Sequence, residues 1–397
     1  MSMSIPHLFL CPISLDLLTD PVTLSTGQTY DRLSIERWLA GGNLTCPVTM
    51  QRLQDTTLVP NHTLRHLIDQ WLLTDCLTSN DKSCNFSLGT LKLNLQSSDT
   101  SLNVKLESVK KVRILSMESD TGQVCLIQLG FFPLLLQLIL EASHEFNDDF
   151  QLVEVALDCI LSLSPSSSSS SSSSSHLEFL NILKKDQNLV SLLHLLEQGN
   201  GRVKTSICYL IERIASSPVT LDLCSVIGQS QKVLQVLVSL ITDADSQASE
   251  AAVRALSGIC SLEANRSNAI KEGATDNLVA YLSGSKRRNA TQALSAIEIL
   301  SAMDEGKKML IKNRNAVKIL VKMLFKVSSD HQGSEHAVSA LLLLCRESPR
   351  VRSEAVIAGA LTQLLLLLQS QCSAKAKSKA RALLKLLSCT CHSYHSM

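Results

Sequence analysis

The residue types best suited to chemistry in this sequence are its 13 cysteines and 10 histidines, which can bind zinc or serve as nucleophiles. Near the N-terminus, Cys11 and Cys46 each precede a proline, but residues 5–75 contain no Cys-x-x-Cys pair. Because structural zinc sites are built from closely spaced cysteine and histidine pairs, we predict no metal and no other cofactor in this segment. No histidine or acidic residue stands at a suggestive spacing from Cys46, which disfavours covalent catalysis through its thiol.

A second set of candidate ligands ends the sequence, namely Cys389, Cys391, His392 and His395. Zinc prefers two such pairs on a folded scaffold, so we interpret this set as part of a flexible tail, residues 389–397. Most other cysteines lie singly in leucine-rich runs, where a thiol packs as a small hydrophobic group. The sequence begins without a basic and apolar leader, and no apolar run approaches the ~20 residues that span a bilayer. We expect a cytoplasmic protein, with the nucleus and the plasma-membrane periphery left open.

The overall composition disfavours one class of function and favours a helical architecture. With 37 Lys and Arg against 36 Asp and Glu, the formal net charge is +1, whereas dedicated nucleic-acid binders carry a basic excess. Aromatic residues make up 4% and charged residues 18% of the chain. We therefore expect no nucleic-acid partner and a core of aliphatic side chains packed between helices.

Residues 5–75 show the mixed pattern of a small α+β module. A strand-like segment, Val22–Leu24, leads into a turn rich in Ser, Thr and Gly, which predicts a short hairpin. The following segment predicts a helix over Leu33–Ala40, with Asp31 or Ser34 as its N-cap. The two Cys-Pro segments, one before the hairpin and one after the helix, are predicted to be loops.

After these loops the pattern changes twice. A helix is predicted from Asn61, a good N-cap before apolar residues at helical spacing. Residues 76–103 are polar, rich in Ser and Thr and weakly patterned, so we interpret them as a linker. From 104 to 388 the apolar residues follow helical spacing almost throughout.

The helical part contains an internal repeat. Leucine-rich cores recur and begin at Leu135, Leu192, Leu237, Leu278, Leu320 and Leu364. The last five lie 45, 41, 42 and 44 residues apart, and the first gap of 57 contains the ten serines Ser166–Ser175. Without that run the first gap is 47. A serine run cannot bury apolar surface, so we predict a disordered loop at 165–176.

A period of roughly 40–47 residues with two or three helices per unit is typical of armadillo and HEAT arrays. We therefore predict a mostly α chain, in which a small α+β module precedes an α-solenoid of about six armadillo repeats over 104–388. Stacked repeats share a continuous core and curve around a concave groove. Within each repeat, turns such as Gly273-Ala274 and Gly359-Ala360 are expected to place a left-handed glycine after the first helix.

The N-terminal module carries several motifs in order: Cys11-Pro12-Ile13, Asp20-Pro21-Val22, Thr26-Gly27-Gln28-Thr29-Tyr30-Asp31, Cys46-Pro47-Val48 and Pro60-Asn61-His62-Thr63-Leu64. On these motifs the module resembles the U-box family, and with the repeats the whole chain resembles plant U-box/armadillo ubiquitin ligases. The resemblance implies a RING-like fold without zinc that binds a ubiquitin-conjugating enzyme. We expect polar contacts to replace the metal, among the charged residues Asp16, Asp20, Arg32, Glu36 and Arg65.

The resemblance also implies where the conjugating enzyme binds. It indicates a shallow groove formed by two loops and the helix between them, with Ile13, Cys11 and Pro12 in the first loop, Trp38 on the helix, and Pro47 and Val48 in the second loop. A small domain must also use its large apolar residues as core. We expect direct contact from Ile13, Trp38 and Pro47, and core packing for Cys11 and Leu15.

One position departs from the family pattern. After Cys-Pro-Val-Thr the family usually has Arg or Lys, whereas this sequence has Met50. In the family that basic side chain is thought to hydrogen-bond the conjugating enzyme and ubiquitin together, and methionine cannot donate hydrogen bonds. We expect binding of the conjugating enzyme to survive and catalytic activation to be weaker, unless Arg52 substitutes.

The resemblance implies a ubiquitin ligase that forms no covalent intermediate with ubiquitin. The U-box brings a ubiquitin-charged conjugating enzyme beside a protein substrate in the armadillo groove, and proximity accelerates the attack of a substrate lysine. The alternative is a non-catalytic scaffold whose U-box binds a partner without activating transfer. A homodimer is left open. The resemblance also suggests plant stress or immune signalling.

Two further hypotheses concern the repeats. Armadillo grooves that bind nuclear-import peptides carry regularly spaced Trp and Asn, but Trp38 and Trp71 both precede the repeats. Residues 346–397 contain eight Lys or Arg and two acidic residues. A solvated helix face is the first interpretation of this excess, and an acidic substrate or an anionic membrane surface is the second. Membrane association has no further support in the sequence.

Overall fold

The computed structural model describes residues 6–75, 88–118, 120–145, 150–164, 175–243, 246–284, 288–325 and 331–394. The chain divides into two compact units, residues 1–135 and 136–397. The first unit holds the α+β module and the first helices of the array, and the second holds the remaining helices.

The module is a three-stranded antiparallel sheet with two helices. Its strands are β1 (Pro21–Thr23), β2 (Thr29–Asp31) and β3 (Val59–Pro60), in the spatial order β2-β1-β3. Its helices are α1 (Arg32–Ala40) and α2 (His62–Asp75), and a short 3₁₀ helix lies at His7–Phe9. Strands β1 and β2 form the predicted hairpin, with Val22 opposite Tyr30. Both predicted helices are present.

The two module helices begin in different ways. Asn61 caps α2 as predicted, because its Oδ1 accepts a hydrogen bond from the Leu64 N–H at 3.0 Å. Asp31 precedes α1 but makes no capping hydrogen bond with its side chain. Its carboxylate instead accepts hydrogen bonds from the N–H groups of Thr19 (2.8 Å) and Asp20 (3.0 Å). The predicted capping role of Asp31 is therefore wrong, since the first loop takes up that carboxylate.

The predicted linker at 76–103 is corrected in its second half. Residues 76–87 lie outside the described residues, but Leu88–Gln96 forms helix α3. Its residues Leu88, Leu91 and Leu95 are buried. Leucines at this spacing share one helix face, and their burial stabilises a helix inside an otherwise polar stretch.

Three further helices begin in the first unit: α4 (Leu102–Glu118), α5 (Asp120–Gln128) and α6 (Phe131–Glu145). Helix α3 packs on α4, and α4 packs on α5. Cys125 of α5 is buried in the same apolar cluster as the core of the module, and Leu129 packs against that cluster. The module and the first helices of the array therefore share one core.

The described part of the second unit is helical. After α6 the helices are α7 (Gln151–Ser162), α8 (Asp186–Gln198), α9 (Gly201–Ser216), α10 (Leu221–Gln229), α11 (Gln231–Ile241), α12 (Ser246–Ser261), α13 (Glu263–Lys271), α14 (Ala274–Ser283), α15 (Ala290–Ser301), α16 (Asp304–Lys312), α17 (Ala316–Leu324), α18 (His331–Glu347), α19 (Pro349–Ile357), α20 (Ala360–Gln369) and α21 (Ala374–Tyr394). Short 3₁₀ helices at Ser175–Lys184 and Pro218–Thr220 precede α8 and α10.

These helices follow the predicted armadillo pattern. From α10 onward each repeat has a short first helix, a second helix and a third helix, as in α10, α11 and α12. The predicted leucine-rich cores lie in the second helices α6, α8, α11, α14, α17 and α20. The third helices α7, α9, α12, α15, α18 and α21 each pack on the next, so they form one continuous layer, called here the third-helix layer.

Left-handed glycines join first and second helices where the sequence predicts them. Gly273 (φ 85°) lies between α13 and α14, and Gly359 (φ 89°) lies between α19 and α20. A side chain with a Cβ atom is strained at these angles. Glycine therefore allows the chain to turn within two residues of each first helix.

Two segments predicted to be irregular fall partly outside the described residues. Of the predicted loop at 165–176, residues 165–174 are not described, and Ser175 and His176 begin a 3₁₀ helix. The predicted tail at 389–397 is corrected, because α21 continues to Tyr394 with no proline or glycine to end it. Among the described helices, none alone is long and apolar enough to cross a membrane, although three bent pairs pass by length and composition.

A close approach joins α10 to α13. A Cβ atom at Gly228 would lie 2.1 to 2.5 Å from side-chain atoms of Asn265. Asn265 is fully buried, and its Nδ2 donates to the carbonyls of Cys224 (3.1 Å) and Ile259 (3.2 Å). This side chain therefore links three helices and has little freedom to move.

Gly228→Ala should destabilise the array by about 1–3 kcal/mol, because the added methyl group overpacks the site. Asn265 must also give up buried hydrogen bonds to make room. Chemical denaturation followed by circular dichroism measures the change. Ser225→Ala on the same helix is the control and should change the unfolding free energy by less than about 0.5 kcal/mol. Equal stability of Gly228→Ala and the wild type would show that Asn265 yields without cost.

Candidate functional site

The first Cys-Pro loop is closed by its own backbone. The Cys11 N–H donates to the Asp16 carbonyl, and the Leu15 N–H donates to the Cys11 carbonyl, both at 2.8 Å. An isolated antiparallel bridge between Leu10 and Leu17 joins the two ends of the loop. Backbone hydrogen bonds and this bridge therefore close the loop.

The second Cys-Pro loop repeats this geometry. The Cys46 N–H donates to the Gln51 carbonyl, and the Met50 N–H donates to the Cys46 carbonyl, both at 2.9 Å. A bridge between Thr45 and Arg52 closes the loop at the same offset as in the first loop. The module thus presents one loop conformation twice.

Each loop contains one residue in the left-handed region. Leu15 (φ 59°) and Met50 (φ 58°) occupy the same loop position, and they are the two non-glycine residues with positive φ in the described chain. Such a conformation costs about 1–2 kcal/mol and persists where surrounding contacts determine it. Both side chains point outward and are 73% and 72% exposed. The expectation that Leu15 packs in the core is therefore wrong.

The other residues of the first loop differ in burial. Cys11 is fully buried, and its Sγ accepts a hydrogen bond from the Asp31 N–H at 3.3 Å. The core packing expected for Cys11 is therefore confirmed, and its inclusion among the residues that bind the conjugating enzyme is wrong, because it has no exposed surface. Pro12 is exposed, and Ile13 is half-buried and packs against the core of the module.

In the second loop Cys46 accepts several hydrogen bonds. Its sulfur lies 3.0 Å from the Tyr30 hydroxyl and 3.3 Å from the Thr26 hydroxyl. Burial raises the pKa of the Cys46 thiol, but hydrogen bonds from Thr26, Thr49 and Tyr30 outweigh burial and lower the pKa to about 6. The side chain has no exposed surface, so this low pKa does not make it a nucleophile for a bound protein.

Tyr30 also fixes the backbone of the second loop. The Val48 N–H donates to the Tyr30 hydroxyl at 3.3 Å, so this hydroxyl lies between a thiol and a loop amide. Tyr30 is fully buried. Burial, and then the hydrogen bond with Cys46, raises the pKa of Tyr30, which keeps its hydroxyl protonated.

Asp31 does for the first loop what Tyr30 does for the second. One oxygen of its carboxylate accepts from the Thr19 hydroxyl at 2.5 Å, in addition to the two backbone N–H groups of Thr19 and Asp20. The carboxylate is buried and accepts three hydrogen bonds, which compensate for its loss of hydration. Two adjacent residues of β2 therefore hold both loops. The sequence signals them through the Thr-Tyr-Asp motif, but their roles were not predicted.

The charged residues expected to replace zinc form a partial network. Asp20 pairs with Arg32 at 2.6 Å and with Arg65 at 3.5 Å, and Arg32 lies 3.9 Å from Glu36. These side chains are about a third to a half exposed. Ion pairs with this exposure contribute little to the free energy of folding. Asp16 joins the first loop through its backbone carbonyl. The buried hydrogen bonds of Tyr30 and Asp31 are the stronger restraint.

Trp38 on α1 connects the helix to the second loop. Its Nε1 donates to the Thr45 carbonyl at 2.9 Å, and its own carbonyl accepts from Asn43 Nδ2 at 3.0 Å. Trp38 is half-buried against the core of the module, Pro47 is half-buried, and Val48 is exposed. Apart from Cys11, each residue expected on the binding surface therefore retains exposed area.

The third-helix layer carries a second set of fixed polar groups. Between α9 and α12, Arg254 bonds Glu212 Oε1 through Nε (2.9 Å) and Nη2 (2.8 Å), and its guanidinium lies 5.4 Å from the ring centroid of Tyr209. Between α7 and α9, Arg202 bonds Glu154 at 2.8 Å. Charged pairs thus join the third helices of neighbouring repeats.

The charged pairs continue toward the last repeat. Glu298 of α15 lies 2.5 Å from His336 Nδ1 of α18 and 3.2 Å from Lys379 Nζ of α21. Burial raises the pKa of Glu298, but hydrogen bonds from His336, Ser339 and Lys379 outweigh burial and lower the pKa to about 2. Glu298 therefore stays ionised, and its contacts connect the third helices of three repeats.

Two family models cover nearly the whole chain. Residues 5–76 match the U-box domain, and residues 91–397 match the plant U-box protein ARM repeat region. The U-box domain-containing protein 26 of Arabidopsis thaliana is 32% identical over 98% of this chain and 92% of its own length. This chain belongs to the plant U-box protein family. The E3 ubiquitin-protein ligase PUB23 of the same plant is 31% identical over 92% of this chain and 88% of its own. The plant U-box protein described here is a U-box-type E3 ubiquitin transferase.

A solved structure supports the fold of the array. The crystal structure of an engineered protein aligns with a TM-score of 0.58 and 20% identity, over 76% of this chain and 68% of the other. At this identity the similarity concerns the fold alone.

Tyr30→Phe in this U-box protein should loosen the second loop, because it removes the hydroxyl that the Val48 N–H and the Cys46 thiol share. We expect a loss of about 1–3 kcal/mol, seen as faster amide hydrogen exchange over residues 45–52 by mass spectrometry. Tyr209→Phe on α9 is the matched control and should leave that exchange unchanged. Wild-type exchange over 45–52 in Tyr30→Phe would contradict the role assigned to the hydroxyl.

Proposed function

We propose that the two loops and α1 bind a ubiquitin-charged conjugating enzyme and that the third-helix layer holds the protein substrate. The observation that carries the first part is the outward position of Leu15 and Met50 at one point of two matched loops. Trp38 joins α1 to the second of these loops. A rigid frame that presents a few apolar side chains suits the docking of another protein.

The ligase contributes no covalent step in this proposal. Cys11 and Cys46 are fully buried, so neither thiol can accept ubiquitin from a docked enzyme. A substrate lysine attacks the thioester, the new amide forms, and the thiol of the conjugating enzyme leaves. Proximity and orientation of the two proteins supply the acceleration.

The third-helix layer supports the second part of the proposal. Its polar side chains are paired between neighbouring repeats, as Glu212 is with Arg254 and Glu298 is with His336. Groups that are fixed before a ligand arrives lower the ordering cost of binding. The layer can therefore select a segment of a substrate by the placement of its polar groups.

Leu15→Ala and Val48→Ala test the docking surface. Each change removes an exposed apolar side chain, so the fold should stand while affinity for a conjugating enzyme falls about tenfold, which corresponds to about 1.4 kcal/mol. Titration calorimetry with a panel of conjugating enzymes measures the affinity, and autoubiquitination assays measure the resulting loss of activity. Val59→Ala on β3 is the matched control, because Val59 is similarly exposed (58% against 49% for Val48). Wild-type affinity and ladders in both loop variants would contradict the proposed surface.

Met50→Arg tests how strongly the ligase activates transfer. The Met50 side chain is exposed, and arginine is no more strained at φ 58° than methionine. We expect faster discharge of ubiquitin from a charged conjugating enzyme to free lysine, because arginine donates hydrogen bonds that methionine cannot. Affinity for the uncharged enzyme should not change. Single-turnover discharge measures the rate, and equal rates would show that position 50 does not control activation.

A non-catalytic scaffold, the alternative to the transferase assigned above, rests on the exposed Met50 alone. It predicts that the wild type binds a conjugating enzyme without discharging ubiquitin from it, and that Met50→Arg discharges ubiquitin.

We also propose that the protein acts in the cytoplasm, which a fluorescent fusion would test.

A further inference from the structure

The last repeat differs from the inner repeats at a position of the second helix. In the three repeats before it this position is a buried valine: Val238, Val279 and Val321 are 4%, 2% and 2% exposed, and the second helices that carry them pack on the second helix of the following repeat. In the last repeat the same position, one residue after the first leucine of the core, is Leu365, which is 53% exposed. An apolar side chain that is buried in the three preceding repeats is therefore exposed in the last one.

The third helix of the last repeat shows a complementary change. With the alanine- and leucine-rich stretches of α18 and α21 aligned 43 residues apart, Arg381 takes the place of Val338, and Lys385 takes the place of Leu342. Val338 and Leu342 are buried, whereas Arg381 and Lys385 are exposed. Two positions that are apolar and covered in α18 are thus cationic and open in α21.

The charge on this helix has one sign. Between Ala374 and Ser388 it carries cations and no acidic residue: Lys375, Lys377, Lys379, Arg381 and Lys385. Lys375 and Lys379 pair with Glu335 and Glu298 at 3.3 and 3.2 Å. Among the described residues, Lys377, Arg381 and Lys385 have no such ion pair. The exposed side of α21, which packs on the helix that carries Leu365, is therefore positively charged.

A simple polar cap does not account for this end of the array. Terminal repeats of solenoids carry a polar outer face that prevents association. Such a face must be polar, but its charges need not all have the same sign. Here apolar residues also replace lysines. Leu366 occupies the position of Lys322, and Ile357, the last residue of α19 and 85% exposed, occupies the position of Lys312 at the end of α16. The end combines exposed apolar groups with cations, as docking surfaces do.

Leu384 of α21 is half-buried and lies three residues after Arg381, on the same face of the helix. We propose that the end surface, consisting of Leu365, Lys377, Arg381, Leu384 and Lys385, docks an amphipathic helix of a partner protein that carries acidic residues beside an apolar stripe. Inner repeats receive the helices of the next repeat through the same positions, so the surface suits a helix. The apolar stripe covers Leu365 and Leu384, and the acidic residues pair with the unpaired cations. The proposal does not depend on ligase activity.

A labelled peptide tests this surface on the full-length protein. The probe is a helical peptide of leucine and glutamate with the leucines on one face, and a scrambled peptide of the same composition is its control. Fluorescence anisotropy should show saturable binding that weakens as salt screens the charges. Arg381→Glu combined with Lys385→Glu should lower the affinity by at least about tenfold. Leu365→Lys should lower it as well, since it removes the apolar contact.

The matched control uses two cations of an inner repeat. Lys318 and Lys322 of α17 are exposed and four residues apart, as are Arg381 and Lys385. Lys318→Glu combined with Lys322→Glu should leave the affinity unchanged. Absence of binding, equal binding of the scrambled peptide, or an equal loss in the α17 variant would overturn the proposal. Binding to phosphatidylserine vesicles but not to the peptide would overturn it in favour of a membrane surface.

Discussion

The U-box module depends on the way in which the end of β2 satisfies the polar groups of two loops. A domain of this size buries too little apolar surface to hold long loops by packing alone, and many small domains use metals or disulfides instead. Here Asp31 accepts three hydrogen bonds from the segment after the first loop, and Tyr30 joins a thiol and an amide of the second. Because an unpaired buried donor is costly, these two residues fix the positions of both loops relative to the sheet.

The frame has a direct consequence for function. Leu15 and Met50 lie in a backbone conformation that is unfavourable for both, and each is held there by two short backbone hydrogen bonds within its loop. The strain is therefore compensated by neighbouring contacts, and two side chains are kept outside the core of a domain that has few apolar residues to spare. A partner that docks on such a surface meets side chains already in position, which limits the entropy lost on binding.

The sequence predicts most of the fold because the main signals are periodic and local. The recurrence of leucine-rich cores predicts the six second helices. Asn61 caps α2, and Gly273 and Gly359 adopt the left-handed conformation, as predicted from their residue types. The errors have physical causes. Helix α3 is stabilised by three buried leucines in a polar stretch, and the carboxylate of Asp31 serves a loop 12 residues earlier rather than its own helix. The bond between Tyr30 and Cys46, 16 residues apart, depends on tertiary structure that no local pattern reveals.

The two ends of the armadillo array show that a repeat can be completed in different ways. At the beginning, Cys125 of α5 is buried in the core of the U-box, so the module covers apolar surface that an earlier repeat would otherwise cover. At the end, α21 replaces buried positions with arginine and lysine while Leu365 stays open. Cations alone would suffice for solubility. A partner that covers Leu365 removes apolar surface from water, and the cations of α21, the helix that packs on α20, let the same partner be selected by its charge.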